Sequence, residues 1–398
     1  RWMGGYEFGI YVLAWTWVLI LGGLSHLGLS VAMIRLLPAY AEAGQSNLLR
    51  GLLRGGRLLT IGVATAIAAA GLGGITLFGQ HLGQHMVWPL YLALFCLPMF
   101  ALTDLQDGIG RGRGWMGIAL LPPYVLRPLF LLAAMVIAHA AGLPMTGVTA
   151  VGAAIAATWL AAIIQTILVQ RRLAKEIEAG PRQYDFKGWL TTSLPLLIIY
   201  GCELILQNGD LVILSMYESP AEVGKYFAAA KTMALVMFVH YAVGSAIAHK
   251  FSALHARGDR EQLKAFVKDA VHWTFWPSLI AASVILILGK PLLWLFSADF
   301  TSAYPVMFIL VLGFLIRASM GPAEFLLNML GEQSLCAAVL VVTAVLNIAL
   351  NFALVPRFGI TGAAIATSVA LTVAAILNYL VARRRLELEI SIFNNLLK

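Results

Sequence analysis

Eight ionisable side chains stand inside otherwise apolar stretches of this 398-residue chain: Arg35, Arg127, Glu203, Asp210, Lys231, Lys250, Arg317 and Glu324. A charge surrounded by apolar residues is costly and faces a partner or a polar cavity, so each of the eight is a candidate for holding a charged ligand. Arg127 and Arg317 lie deepest in their runs and suit an anionic headgroup. Glu324, seven residues beyond Arg317 on the same helix face, offers the alternative of an internal ion pair. Arg35 and Lys250 lie at the ends of their runs, where a cation either captures a phosphate or snorkels to the surface.

The acidic candidates suit a different chemistry. Glu203 and Asp210 are seven residues apart, hence on one helix face, with Gln207 and Asn208 beside them. This is the most polar face in any apolar run, and Glu203, Asp210 and Glu324 are the positions at which H⁺ or Na⁺ could be exchanged. Helix–helix hydrogen bonding is the competing role. Asp210 and Lys231 stand about equally far from Pro220, so an ion pair between adjacent helices is a further expectation. His240, beside Tyr241, is either a proton relay or a packing residue.

The elements that must position these groups follow from composition. Hydrophobic residues make up 60% of the chain and charged ones 12%, with mean hydropathy +0.85, against roughly 25% charged in ordinary globular chains. Crossing hydrocarbon takes about 20 residues of helix, and the runs divide at Gly, Pro and polar breaks into spans near 8–34, 58–79, 86–104, 115–139, 147–170, 190–217, 225–249, 270–296, 303–327, 334–355 and 359–382. The expected fold is an all-α polytopic membrane protein of about eleven helices, because the runs are continuous rather than alternating. Cys96, Cys202 and Cys336 fall inside these runs without CxxC or His-rich spacing, so no metal site is expected.

Basic residues cluster in alternate connections: Arg50, Arg54 and Arg57; Arg111 and Arg113; 171–187; 257–268; and Arg383 to Arg385. The connections around His81 to His85 and around 138–145 carry no Lys or Arg. This asymmetry places the basic side and the C-terminus in the cytoplasm. The net charge of +8 therefore follows membrane topology and implies no nucleic-acid partner.

An internal repeat is visible. Glu7, Gly9, Tyr11, Ala14, Ser30 and Arg35 recur 215 residues on as Glu222, Gly224, Tyr226, Ala229, Ser245 and Lys250. Gly44, Leu49 and Arg54 match Gly258, Leu263 and Lys268, and Gly152 to Ala156 matches Gly362 to Ala366. Corresponding basic segments lie on one side, so the repeats are parallel. Two six-helix bundles are expected: a lobe over 1–173, a cytoplasmic linker over 174–187 and a lobe over 188–398. The first lobe lacks its opening helix, and with no initiator Met the chain reads as N-terminally truncated.

These motifs are similar to those of the polysaccharide-synthesis branch of the multidrug/oligosaccharidyl-lipid/polysaccharide flippase superfamily. The resemblance is carried by Gly5-Tyr6-Glu7-Phe8-Gly9-Ile10-Tyr11, by Gly28-Leu29-Ser30 with Arg35 and Pro38, by Ser219 to Tyr226, and by Asn347 and Asn351 followed by Val355 to Ala366. It implies a V-shaped alternating-access transporter of the bacterial inner membrane. Its cargo would be a lipid-linked oligosaccharide, polyprenyl-pyrophosphate-linked, for cell-surface polysaccharide or lipopolysaccharide, with membrane lipids and polysaccharide polymerase machinery as partners. In that setting Arg127, Arg317, Arg35 and Lys250 would meet the headgroup, and Glu203, Asp210 and Glu324 would couple H⁺ or Na⁺ without any cofactor.

The alternative on the same fold is a multidrug or small-molecule cation antiporter. A membrane-embedded glycosyltransferase or ligase would need an acidic or metal-binding loop outside the bilayer, and neither a DxD-like nor an HxxH-like cluster is present. A phosphate-binding loop ending in Gly-Lys-Ser/Thr is also missing, so ATP hydrolysis is not expected and the chain is read as a transporter rather than an enzyme.

Overall fold

The computed structural model describes residues 1–79, 83–257 and 259–393, which are almost wholly helical; His81 and Gly258, used above, lie outside the described residues. The helices are α1 (Gly4–Ser25), α2 (Leu29–Glu42), α3 (Ser46–Phe78), α4 (Gln84–Gly112), α5 (Met116–Leu121), α6 (Arg127–Ala140), α7 (Gly147–Glu176), α8 (Phe186–Tyr217), α9 (Pro220–Ala256), α10 (Arg260–Ile287), α11 (Gly289–Trp294), α12 (Tyr304–Ser319), α13 (Ala323–Met329) and α14 (Gln333–Val381). Among the described residues, ten helical segments are long and apolar enough to cross a membrane. The last of them contains two crossings. Helix α14 has 49 residues, about 74 Å at 1.5 Å per residue, against about 30 Å of hydrocarbon. It breaks at Gly359, where φ is 53° and ψ −132°. The break falls where the sequence separated spans 334–355 and 359–382.

The chain forms two compact units. The amino-terminal unit holds Trp2 and Glu7–Leu204; the carboxy-terminal unit holds Arg1, Met3–Tyr6 and Ile205–Lys398. The division falls inside α8.

In the amino-terminal unit α4 is the central helix, packed by α2, α3 and α7. Small residues let these helices approach. A Cβ at Gly108 of α4 would lie 2.1 Å from the Ser30 carbonyl oxygen of α2, and the Ser30 hydroxyl donates to the Asp104 carbonyl at 2.7 Å. In the carboxy-terminal unit α12 packs on α14 in the same manner. Gly313 leaves room for Ser368, whose hydroxyl donates to the Ile309 carbonyl at 2.7 Å. Glu7, first of the repeated motif residues, accepts the Gly147 N–H at 2.6 Å and so caps the start of α7.

The turn between α1 and α2 depends on Gly28. Its φ is 74°, and a Cβ there would lie 2.2 Å from the Ser193 carbonyl oxygen of α8. The substitution Gly28→Ala combines a left-handed backbone penalty with a backbone clash, and is expected to cost about 2–5 kcal/mol. A lowered melting temperature of the detergent-purified protein checks this; an unchanged one would show that α8 yields freely.

The basic residues assigned to connections largely sit within helices. Arg50, Arg54 and Arg57 all lie in the first turns of α3 rather than before it, and Arg171, Arg172 and Lys175 close α7.

Candidate functional site

Arg127 opens α6, directly after a π-helical turn over Pro122–Leu126. Two prolines lead into that turn, and their missing N–H groups disturb the regular ladder. The guanidinium lies 5.3 Å from the Trp15 ring centroid and 5.4 Å from that of Phe100. Those rings meet edge-on at 5.9 Å, and Tyr11 stacks beside Trp15. Among the described residues no carboxylate pairs with Arg127. A cation on aromatic faces recovers about 0.5–2 kcal/mol, less than the several kcal/mol lost when a guanidinium leaves water. The site is therefore electrically incomplete and suited to an anion.

The same unit holds a carboxylate cluster that sequence reasoning missed. Tyr200 donates its hydroxyl to Asp104 Oδ2 at 3.0 Å, and His26 Nε2 lies 3.1 Å from the same oxygen. His26 is fully buried, and its Nδ1 accepts the Gly28 N–H. That bond leaves the neutral ring with its proton on Nε2, facing Asp104. The apolar run 86–104 puts Asp104 at the very end of its span, whereas α4 continues to Gly112. The signal available was the helical spacing of Leu102, Leu105 and Ile109, which carries the apolar face past the aspartate. One turn on, Asp107 pairs with Arg111 at 2.8 Å.

In the carboxy-terminal unit Asp210 is buried. It accepts the Tyr226 hydroxyl at 2.6 Å, the Thr367 hydroxyl at 3.5 Å and the Leu211 N–H at 2.8 Å. Helices α8, α9 and α14 thus converge on one carboxylate. The expected ion pair with Lys231 does not form. Lys231 is five residues beyond Tyr226, about 140° round the helix, and lies 5.6 Å from the Phe227 ring centroid on the exposed side of α9. Asn347 and Asn351 are both buried on α14. Asn351 Nδ2 donates to the Asn347 carbonyl at 2.9 Å, which leaves Asn347 Nδ2 and Asn351 Oδ1 unpaired.

Arg317 and Glu324 form an ion pair across the Gly321 break between α12 and α13, with Nη2 at 2.6 Å from both carboxylate oxygens. Each therefore has its counter-charge within the chain. His240 is buried against Tyr241 and Phe325, with neither ring nitrogen hydrogen-bonded. Arg35 and Glu203 are exposed, and Lys250 lies 5.6 Å from the Phe266 ring centroid. The structure thus brings Arg317 to Glu324 and Asp210 to Tyr226, but does not join Arg35 or Lys250 to either cluster.

Comparison with known proteins gives the setting for these sites. The polysaccharide biosynthesis protein family matches residues 1–255. A probable low-salt glycan biosynthesis flippase, Agl15 of Haloferax volcanii, is 26% identical over 170 residues, which cover 42% of this chain and 36% of that protein. The match thus spans about a third of the relative's length. Two solved structures share the fold. An inward-facing multidrug resistance MATE family transporter of the MOP superfamily aligns with TM-score 0.78 at 16% identity, over 95% of this chain and 89% of its own. The lipid II flippase MurJ, in an inward closed conformation, aligns with TM-score 0.74 at 14% identity, over 95% and 81%. With its many apolar helices, the chain is a multi-pass membrane protein that belongs to the polysaccharide biosynthesis protein family.

Proposed function

We propose that the chain moves a lipid-linked oligosaccharide, carried on a polyprenyl pyrophosphate, across an inner membrane for the assembly of cell-surface polysaccharide or lipopolysaccharide. The observation that carries this reading is Arg127, a cation on an aromatic bed within a membrane helix that no carboxylate ion-pairs among the described residues. A pyrophosphate supplies the missing charge and a bidentate acceptor. Alternating access between cytoplasmic and external openings, a cytoplasmic C-terminus and delivery to a polysaccharide polymerase complete the proposal.

The test uses the full chain in liposomes with fluorescently labelled undecaprenyl-pyrophosphate oligosaccharide in one leaflet. Protein-dependent appearance of the label in the other leaflet is the expected result. A second reading, antiport of small organic cations, is favoured by Asp104 and Asp210, two carboxylates that among the described residues have no Lys or Arg ion pair. Uptake of a cationic dye with no movement of the glycan lipid would decide for it.

Asp210 is the carboxylate we assign to ion coupling, since Glu324 is engaged by Arg317 and Glu203 is exposed. The substitution Asp210→Asn keeps an acceptor for Tyr226 and Thr367 but removes the charge. Glycan-lipid movement is expected to fall about tenfold and to lose its response to an imposed Na⁺ or pH gradient, the equivalent of about 1.4 kcal/mol of coupling. A variant that still responds to either gradient would remove Asp210 from the coupling step.

A further inference from the structure

Arg50, Arg54 and Arg57 stand at i, i+4 and i+7 and line one face of α3. The first of them is structural. Its Nε donates to the Pro181 carbonyl at 2.9 Å and its Nη1 to the Glu178 carbonyl at 3.0 Å, strapping the segment between α7 and α8 onto α3. The Gln183 N–H completes the strap by donating to the Asn47 carbonyl at 3.0 Å. Gly51 permits it, since a Cβ there would sit 1.7 Å from the Gln183 carbonyl oxygen.

Under the strap lies a cavity of about 540 Å³ bounded by α3, the end of α7 and the strap itself. Arg50, Arg54, Arg57 and Arg182 line it against one acidic residue, Glu178, so three positive charges are unbalanced. Arg57 is the decisive member. Its Nε and Nη2 are shut off from the surface and have no hydrogen-bond partner. Among the described residues no ion pair reaches Arg54, Arg57 or Arg182. A shielded guanidinium charge without a counter-ion costs several kcal/mol, which the Coulomb attraction of an anion in the cavity would offset. Leu53, Leu58 and Leu173 also line the cavity, and Leu58 is 59% exposed, so apolar surface adjoins the cations.

We propose that this cavity binds a phosphate-bearing anion, separately from the transported cargo, with Arg57 as the principal ligand and Arg54 and Arg182 closing over it. Planar guanidinium groups match phosphate oxygens in pairs, and basic pockets between membrane helices suit anionic headgroups. An anionic lipid and a soluble phosphate present the same chemistry; the flanking leucines favour the lipid.

Native mass spectrometry of the full chain titrated with phosphatidylglycerol, with phosphatidylcholine as reference, tests the proposal without any transport readout. Wild-type protein is expected to retain phosphatidylglycerol preferentially, and Arg57→Gln to bind it about tenfold more weakly, the loss of one or two charge-assisted hydrogen bonds. Lys264→Gln, on a different basic segment, is expected to bind as wild type. Competition by sodium pyrophosphate, lost in Arg57→Gln, would make the phosphate itself the ligand; no competition would assign the site to the lipid headgroup with its chains. Equal retention by wild type and Arg57→Gln, or no preference over phosphatidylcholine in the wild type together with no pyrophosphate binding, overturns it. Should Arg57→Gln fail to fold, Arg54→Gln and Arg182→Gln carry the same comparison, with about threefold weakening expected for each.

Discussion

Replacing Glu324 by glutamine while Arg317 remains is expected to destabilise the carboxy-terminal unit by about 3–5 kcal/mol, the cost of stranding one member of a buried ion pair. Both side chains are mostly covered, at 14% and 27% exposure, and lie in a membrane-crossing segment, so water offers Arg317 little replacement. The double substitution Arg317→Leu with Glu324→Gln removes both charges and is expected to recover most of the loss. A thermal double-mutant cycle on detergent-purified protein gives the coupling directly. Near-additive single and double substitutions would show the pair to be dispensable, and would return Arg317 to the set of cations free to meet a headgroup. The cycle thus separates the two roles that the seven-residue spacing left open.

Arg127→Ala is expected to reduce movement of a pyrophosphate-linked glycan about 10- to 100-fold, while leaving the melting temperature at or above that of the wild type. The size of the transport effect follows from one or two charge-assisted hydrogen bonds at about 1.5–3 kcal/mol in total. The stability expectation has the opposite sign from that for Glu324→Gln, because among the described residues Arg127 has no ion-pair partner to abandon. Arg127→Lys keeps the charge but not the planar fork, and is expected to fall between the two. The check is the initial rate of label crossing in liposomes at matched protein content, read beside thermal unfolding. Wild-type rates in Arg127→Ala would sink the assignment of this arginine to the headgroup.

Much of the architecture was legible because hydrocarbon imposes few solutions. Apolar runs of about 20 residues have to be helices, and the Gly-Ile-Thr-Gly stretch from Gly359 announced the turn that the structure places at that residue. Pairing within one helix face or across a short break was also readable, as with Arg317 and Glu324. What escaped was anything depending on the angle at which two separate helices present themselves. Equal distance from Pro220 suggested that Lys231 would meet Asp210, but depth says nothing of rotation, and Tyr226 occupies the facing side. His26, Asp104 and Tyr200 come from the α1–α2 turn, α4 and α8, far apart in the chain, and no periodicity links them. The basic pocket beneath the strap was half visible. Arg50, Arg54 and Arg57 were noticed as a topological signal, whereas the role of Arg50 in fastening residues 178–181 depends on backbone carbonyls that no residue type reveals.

The membership of α8 in both compact units bears on how a gene for this protein can be divided. A cut in the polar stretch before Phe186 would look natural for co-expressing two halves as separate polypeptides. It would strip the amino-terminal fragment of Trp189, which is fully buried in a core with Leu29, Leu52, Leu105 and Val169. It would also remove Ser193, whose carbonyl packs against the α1–α2 turn, and Tyr200, the partner of Asp104. A cut that respects the packing falls after Leu204, in the middle of a membrane helix, where neither new terminus could reach water. The two units therefore cannot be inherited, exchanged or recombined as free-standing modules at this junction, even though each has a core of its own.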